Sequence, residues 1–259
     1  MEKLLFKSLS AQYIVRNEYI VETEENYCSV FSCKYNVNAV YDEISGNYNF
    51  NIERADVLID GKPVRKLMDR VIFEIGNTIY PLSLTVSPNL QIKDIGNYKD
   101  IHERWTNCTK NLLQKYPSLQ LRRYVSMSEK NIRDIPSLIH SLYKDTFFNV
   151  YFRDIYTSTR EDEANPILWI NFPKREMNQT YLYTVNSLIE NKVETSGNIL
   201  KIVPTQEGYY SMNYELGKKG EIHTITGKVE SKYQLKIYQK KISVKIENRP
   251  RGSSILPKI

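Results

Sequence analysis

Catalysis needs convergent groups, and the residues of this chain best able to supply them are scattered. His102, His140 and His223 are isolated, with no HxxxH, HExxH or mixed Cys/His spacing that would gather metal ligands. Cys28, Cys33 and Cys108 make an odd set without a CxxC pair, which suits reduced thiols rather than a disulfide framework. No GxSxG nucleophile turn occurs, and Gly46, Gly61, Gly76, Gly197, Gly208 and Gly220 each stand alone at expected turns, so no glycine-rich loop is available to cradle phosphates. Glu161-Asp162-Glu163 lacks the ligand spacing of a calcium loop and reads as a solvated segment. The expectation is a non-enzymatic protein that needs no metal and no cofactor.

What remains is a pattern for binding. Lysine and tyrosine interleave from Lys232 to Lys241, within a C-terminal stretch that carries eleven Lys or Arg residues from Lys218 to Lys258 against Glu221, Glu230 and Glu247, with Glu215 just before it. The whole chain has a net charge of +6. Lys232, Lys236, Tyr238, Lys240, Lys241 and Lys245 are therefore the candidate partner-binding residues, a basic surface suited to an acidic protein. Aromatic residues beside lysines also suit nucleic acid, but Tyr233, Leu235 and Ile237 share the apolar phase, which leaves Tyr238 as the single stacking ring on the basic face.

These residues need a scaffold, and turn dipeptides between β-rich runs supply one. Ser45-Gly46-Asn47, Asp60-Gly61, Gly76-Asn77 and Ser87-Pro88-Asn89 divide a five-stranded meander. Ser196-Gly197-Asn198, Glu207-Gly208 and Lys219-Gly220 divide a second one. The fold expected is α+β: two antiparallel meanders, about 31–95 and 178–248, with helices over about 98–116 and 128–145 packed on a sheet face. The polar loop 157–165 marks a boundary between lobes 1–160 and 161–259, which together are able to form one compact unit.

Asn97 precedes the first helix, whose Ile101, Trp105, Cys108 and Leu112 recur at helical spacing up to Pro117. A short strand over Leu119–Val125 and a capping box at Ser126 and Glu129 follow, with a new helical turn near Asp134 to accommodate Pro136. Thr146–Tyr156 returns to strand character, and 167–172 is a buried strand. Tyr13–Val15 and Tyr19–Val21 suggest a hairpin turning at Arg16-Asn17-Glu18. Changes of apolar phase place a bulge near Arg54 and a bulge or turn at Gln239-Lys240-Lys241.

One hairpin occurs twice. Val86–Ile95 aligns without a gap on Leu216–Ile225, with isoleucines at matching places after the turn, so the two turns are expected to share one geometry.

The apolar run at the N-terminus breaks at Lys7 and no later run approaches the ~18 residues of a membrane helix, so a cytoplasmic protein without a transmembrane segment is expected. Twenty tyrosines against eight phenylalanines fit strand surfaces, some of them facing a partner. The favoured function is a protein-binding subunit, adaptor or inhibitor. A carrier of an apolar small molecule, held between a bent sheet and its helices, is the second reading, and a nucleic-acid binder the third.

Overall fold

The computed structural model describes residues 6–22, 27–156, 167–170, 179–189, 192–199, 207–233 and 236–247. The segment Glu161-Asp162-Glu163 lies outside them. Strands β1 (Ser8–Glu22), β2 (Tyr27–Asp42) and β3 (Asn47–Ile59) open the chain, and the two-residue β4 (Lys62–Pro63) folds back on β3. Helix α1 (Leu67–Asn77) leads to the hairpin of β5 (Leu82–Val86) and β6 (Ile92–Ile95). Helices α2 (Tyr98–Lys115), α3 (Leu119–Ile132), α4 (Ile135–Leu142) and α5 (Thr146–Tyr151) follow. The chain then returns to strands β7 (Ile167–Ile170), β8 (Gln179–Ile189), β9 (Lys192–Ile199), β10 (Glu207–Leu216), β11 (Ile222–Tyr233) and β12 (Lys236–Ile246).

The α+β class holds, but the sheet is larger than two meanders. All strands belong to one antiparallel sheet in the order β6-β5-β3-β2-β1-β12-β11-β10-β9-β8-β7, with β4 beside β3. The join is β1 against β12, a ten-pair register from Tyr13–Ile246 to Glu22–Ile237. Alternation gives the sheet a buried inner face; in β2 it carries Cys33, Tyr35, Val37 and Ala39.

That face must be curled, because α5 touches both halves of it. Phe147 stacks on Tyr35 of β2 at 4.2 Å, Phe152 packs 5.3 Å from Phe50 of β3, and the Tyr214 hydroxyl of β10 donates to the Val150 carbonyl at 3.1 Å. From β3 to β10 is five strand spacings, ~24 Å on a flat sheet, whereas a helix is only ~10–12 Å across. The sheet wraps around α5, and Phe147, Phe148, Val150 and Tyr151 fill its hollow as an aromatic plug.

The twin hairpins are alike in detail. In the first, Ser87 N donates to Gln91 O at 2.9 Å and Leu90 N to Ser87 O at 2.9 Å; in the second, Gly217 N donates to Glu221 O at 2.7 Å and Gly220 N to Gly217 O at 3.0 Å. Both registers shift at the residue before the turn, and both turns close on a positive φ, +66° at Leu90 and +83° at Gly220. The central pair of the second turn is Lys218-Lys219, one position earlier than Lys219-Gly220. Antiparallel order puts both turns at the same end of the sheet, where they hold the chain leaving α5: Asn89 Nδ2 donates to Asp154 Oδ2 at 2.8 Å, and the Tyr156 hydroxyl to Gly220 O at 2.7 Å.

Several expectations are corrected. Arg16-Asn17-Glu18 is no turn: β1 runs straight through it, because Arg16 and Glu18 occupy the outer phase, paired at 2.9 Å, while Asn17 keeps the inner one. Residues 67–77 are helical, since Val71 and Ile75 supply an i,i+4 core stripe that a run of β-branched residues disguises. Leu119–Val125 is the first half of α3, capped by Ser118, which accepts from Leu121 N at 3.1 Å, so Ser126 and Glu129 lie mid-helix and form no capping box. Thr146–Tyr151 is helix rather than strand, capped by Asp145, which accepts from Phe147 N at 2.9 Å. Gly197 sits inside β9, pairing with Tyr183 and Tyr210, and Glu207-Gly208 opens β10. The bulge in β3 is real but falls at Asp56, where φ is +52°, so Arg54 stays on the inner face and Ala55 is exposed. No bulge interrupts Gln239-Lys240-Lys241, whose register with β1 and β11 is continuous. Asp134 does start a new helix and accommodates Pro136.

Candidate ligand-binding cleft

Because β12 keeps its phase, the six candidate partner-binding residues do not form one surface. Lys241 and Lys245 are exposed on the outer face, Lys236 is exposed at the strand start, and Lys232 on β11 lies 3.4 Å from Glu207. Tyr238 and Lys240 point inward: Tyr238 is buried, and Lys240 Nζ donates to Thr146 Oγ1 at 2.6 Å at the head of α5. Burial pushes the Lys240 ammonium down to about 8, with Asp145 opposing the shift. Outer cations are interleaved with acids; Lys34, for instance, lies 3.4 Å from both Asp56 and Glu247.

The other residues singled out by chemistry stay apart. His102 and His140 are exposed on α2 and α4, and His223 is exposed on β11, 3.5 Å from Glu221. All three cysteines are free, and burial raises the Cys33 thiol to about 12, which makes it a packing group. No cluster of three potential metal ligands occurs among the described residues. A concavity of about 480 Å³ opens on the outer face, and its Glu221 and Glu247 already engage His223 and Lys34.

The arrangement with the most chemistry lies on the inner side, above the aromatic plug, around Arg54. This side chain is the last inward residue of β3 before the bulge, beside Tyr35 in the register. Its guanidinium carbon is 5.2 Å from the Phe73 ring centroid and 4.8 Å from that of Tyr80, a cation–π clamp made by α1 and the connection that follows it. One terminal nitrogen reaches Asn77 Oδ1 at 3.5 Å. Burial alone would lower the Arg54 pKa, but Tyr80, Tyr35 and Asp145 outweigh it and hold the guanidinium above its ordinary value. Asp145 behaves in the opposite sense: burial raises its carboxyl, against the pull of Arg54 and the Phe147 N–H.

Arg54 is a shared wall between two clefts. One, about 220 Å³, lies among α1, α2, α3 and α4 and is lined by Thr78, Tyr80, Trp105, Ser128, Asn131 and Asp145 among others. The second, about 280 Å³, is mostly apolar, with Phe31, Val57, Ile59, Val64, Ile72 and Phe73 in its walls. Arg54, Gly76 and Tyr124 belong to both. A Cβ built on Gly76 would have just one neighbour within 4 Å, an Arg54 terminal nitrogen at 3.9 Å, so the missing side chain leaves space beside the guanidinium. The helices are fixed around it by Arg104, which donates to Thr78 O at 2.9 Å and Pro81 O at 3.0 Å, and by Tyr98, whose hydroxyl reaches Ile132 O and Arg133 O.

Sequence reasoning passed over Arg54 except as the place of a bulge. A signal existed: it continues the inward series Tyr48, Phe50 and Ile52, and a charge on an apolar phase has to be accommodated by something. Asp145 and Gly76 carried no local signal, because their neighbours come from other elements.

Comparison with known proteins adds no identification. No family model matches the chain, and no curated protein matches it. A solved domain named for outer membrane lipoprotein sorting, from Vibrio parahaemolyticus, aligns over 92% of this chain and 86% of its own at 8% identity, with a TM-score of 0.17. A score that low establishes no common fold. Among the described residues, no helix is long and apolar enough to cross a membrane.

Proposed function

We propose that this protein binds and carries a small, largely apolar molecule in the paired cleft at Arg54, the second of the readings that the sequence offered. The observation that carries it is the adjacency of the two clefts at Arg54, Gly76 and Tyr124, which sets an apolar chamber beside a chamber lined by hydroxyl, amide and indole groups. Small-molecule sites combine such apolar lining with a few oriented polar groups, over volumes of ~300–1,000 Å³ that the two chambers jointly approach. The hollow of the sheet itself is occupied by α5, so the ligand space lies beside the plug and not within it. The protein-partner reading drew on outward tyrosines, yet among the described residues eleven tyrosines are buried, and Tyr27 and Tyr209 are the exposed ones.

Gly76→Leu tests the proposal with little risk to folding. Leucine is favoured over glycine in a helix by ~0.8 kcal/mol, so the variant is expected to be at least as stable as the parent while its side chain fills the junction. Nile red, a neutral apolar dye, should brighten on titration into the parent chain and stay dark with Gly76→Leu. Equal brightening in both would place the dye elsewhere and defeat the proposal.

A further inference from the structure

The walls of the polar chamber hold hydrogen-bond donors that have not been used. Trp105 is 7% exposed, lines this chamber from α2, and its Nε1–H has no acceptor among the described residues. Arg54 Nε is likewise buried without an acceptor. Among the described residues no carboxylate forms an ion pair with the Arg54 guanidinium, and Asp145 acts on it at longer range while accepting from Phe147 N. Buried polar groups are normally satisfied, and an unmade bond from a charged donor is the most costly kind to leave. Both are donors on residues that line one chamber, so a ligand head that meets them is an acceptor; one of them is cationic, which favours a negative acceptor over a neutral one. The rings of Phe73 and Tyr80 fix the guanidinium plane from the side of α1, and the apolar chamber starts from that same guanidinium.

From this geometry we infer that the ligand is an amphipathic monoanion of the carboxylate class, its head group held by Arg54 and Trp105 and its hydrocarbon part lying in the chamber of Phe31, Val57, Ile59, Ile72 and Phe73. The inference rests on the proposed cleft function and adds the chemistry of the head group. Asp145, on the same chamber wall, is the specificity element, because its carboxylate repels a second negative charge and disfavours dianionic heads.

Isothermal titration calorimetry on the full chain separates the two levels. Octanoate, 1-octanol and octylammonium share one hydrocarbon tail and differ in the head. Octanoate is expected to bind roughly ten- to a hundredfold more tightly than 1-octanol, and octylammonium more weakly than either. Arg54→Met should bring octanoate and 1-octanol to similar affinities, removing the preference for the carboxylate, and Arg54→Lys should keep part of it. Where Arg54→Met fails to fold, Trp105→Phe gives the second reading, with a several-fold loss confined to octanoate. If octanoate and 1-octanol bind the parent equally, the head-group inference falls and the apolar cleft stands. If none of the three binds, both fall.

Discussion

Lys240 offers the sharpest quantitative test of the inner face. It sits in β12 between Tyr19 of β1 and Val229 of β11, inward of the sheet, and burial brings it from an ordinary value of 10.5 to about 8. At ~1.36 kcal/mol per unit, holding it charged in the folded state costs about 3 kcal/mol. A lowered folded-state pKa means that the unfolded chain binds more protons, so stability rises with pH across the interval from about 8 to 10.5. Between pH 7 and 9 the unfolded lysine stays protonated while the folded one loses most of its proton, a gain of ~1 kcal/mol. The cysteines act against it: Cys33, raised from 9.0 to about 12, and Cys108, also raised by burial, lower stability once the unfolded thiols ionise, and take back a few tenths of a kcal/mol by ~pH 9. Above an ordinary tyrosine value of 10.0 the buried Tyr13, Tyr35 and Tyr151, all pushed upward by burial, turn the curve down steeply. The expected profile peaks near ~pH 9, outside the usual range of ~5–8. Urea unfolding followed by circular dichroism at pH 7, 8, 9 and 10.5 checks it. Lys240→Met should abolish the rise between pH 7 and 9. A parent curve that is flat or falling over that interval, or a variant that rises equally, would refute the reasoning.

Three further outcomes follow from the packing. Phe147→Ala removes the ring stacked on Tyr35 at 4.2 Å and 10°, and should lower the unfolding free energy by ~3–5 kcal/mol; a loss below ~1 kcal/mol would mean that α5 is not the centre of the core. Gly220→Ala forces a side chain onto φ +83° and should cost ~1–2 kcal/mol in the same urea assay. At the equivalent position in the twin hairpin, Leu90 already tolerates φ +66°, so in Leu90→Gly the strain relieved offsets part of the burial lost, and the net cost should fall below the ~2–5 kcal/mol of an ordinary buried leucine.

How far the sequence revealed this molecule depended on the range of the interaction that decides each feature. Strands β10 and β11, the helix from Tyr98 and the likeness of the twin hairpins were legible because alternation, helical spacing and turn residues act over a few positions. Helix α1 was hidden, since Val71-Ile72-Phe73 satisfies a strand pattern locally and is held helical by contacts with α2 and by the short β4 that ends the preceding ladder. The candidate site was barely legible at all. Arg54 comes from β3, Gly76 from α1, Trp105 from α2, Tyr124 from α3 and Asp145 from the head of α5, and no spacing within one element predicts their meeting. The lysine stripe misled for the opposite reason: composition marked it as a surface, but an unbroken register turned Lys240 and Tyr238 inward.

The excess of tyrosine over phenylalanine, which the sequence suggested was a property of strand surfaces, is better explained by the plug. A sheet wrapped around a six-residue helix brings main-chain carbonyls of a turn and of a helix end into the core, where a side-chain donor can meet them. Tyrosine fills the same volume as phenylalanine and brings a donor at the tip of its ring. Tyr13 donates to Ile222 O at 2.8 Å where the second twin hairpin shifts register, Tyr156 to Gly220 O in that hairpin's turn, Tyr214 to Val150 O at the end of α5, and Tyr181 to Glu230 O at 2.8 Å. Each of these bonds joins an aromatic core residue to the main chain of another element across the hollow. Burial holds all four phenols protonated well past neutral pH, as a donor must be. Phenylalanine at the same positions would preserve the packing and lose these four hydrogen bonds, at ~0.5–1.5 kcal/mol each. At these four positions tyrosine therefore does what phenylalanine would not, tying strands, a turn and the short helix together by bonds to the main chain.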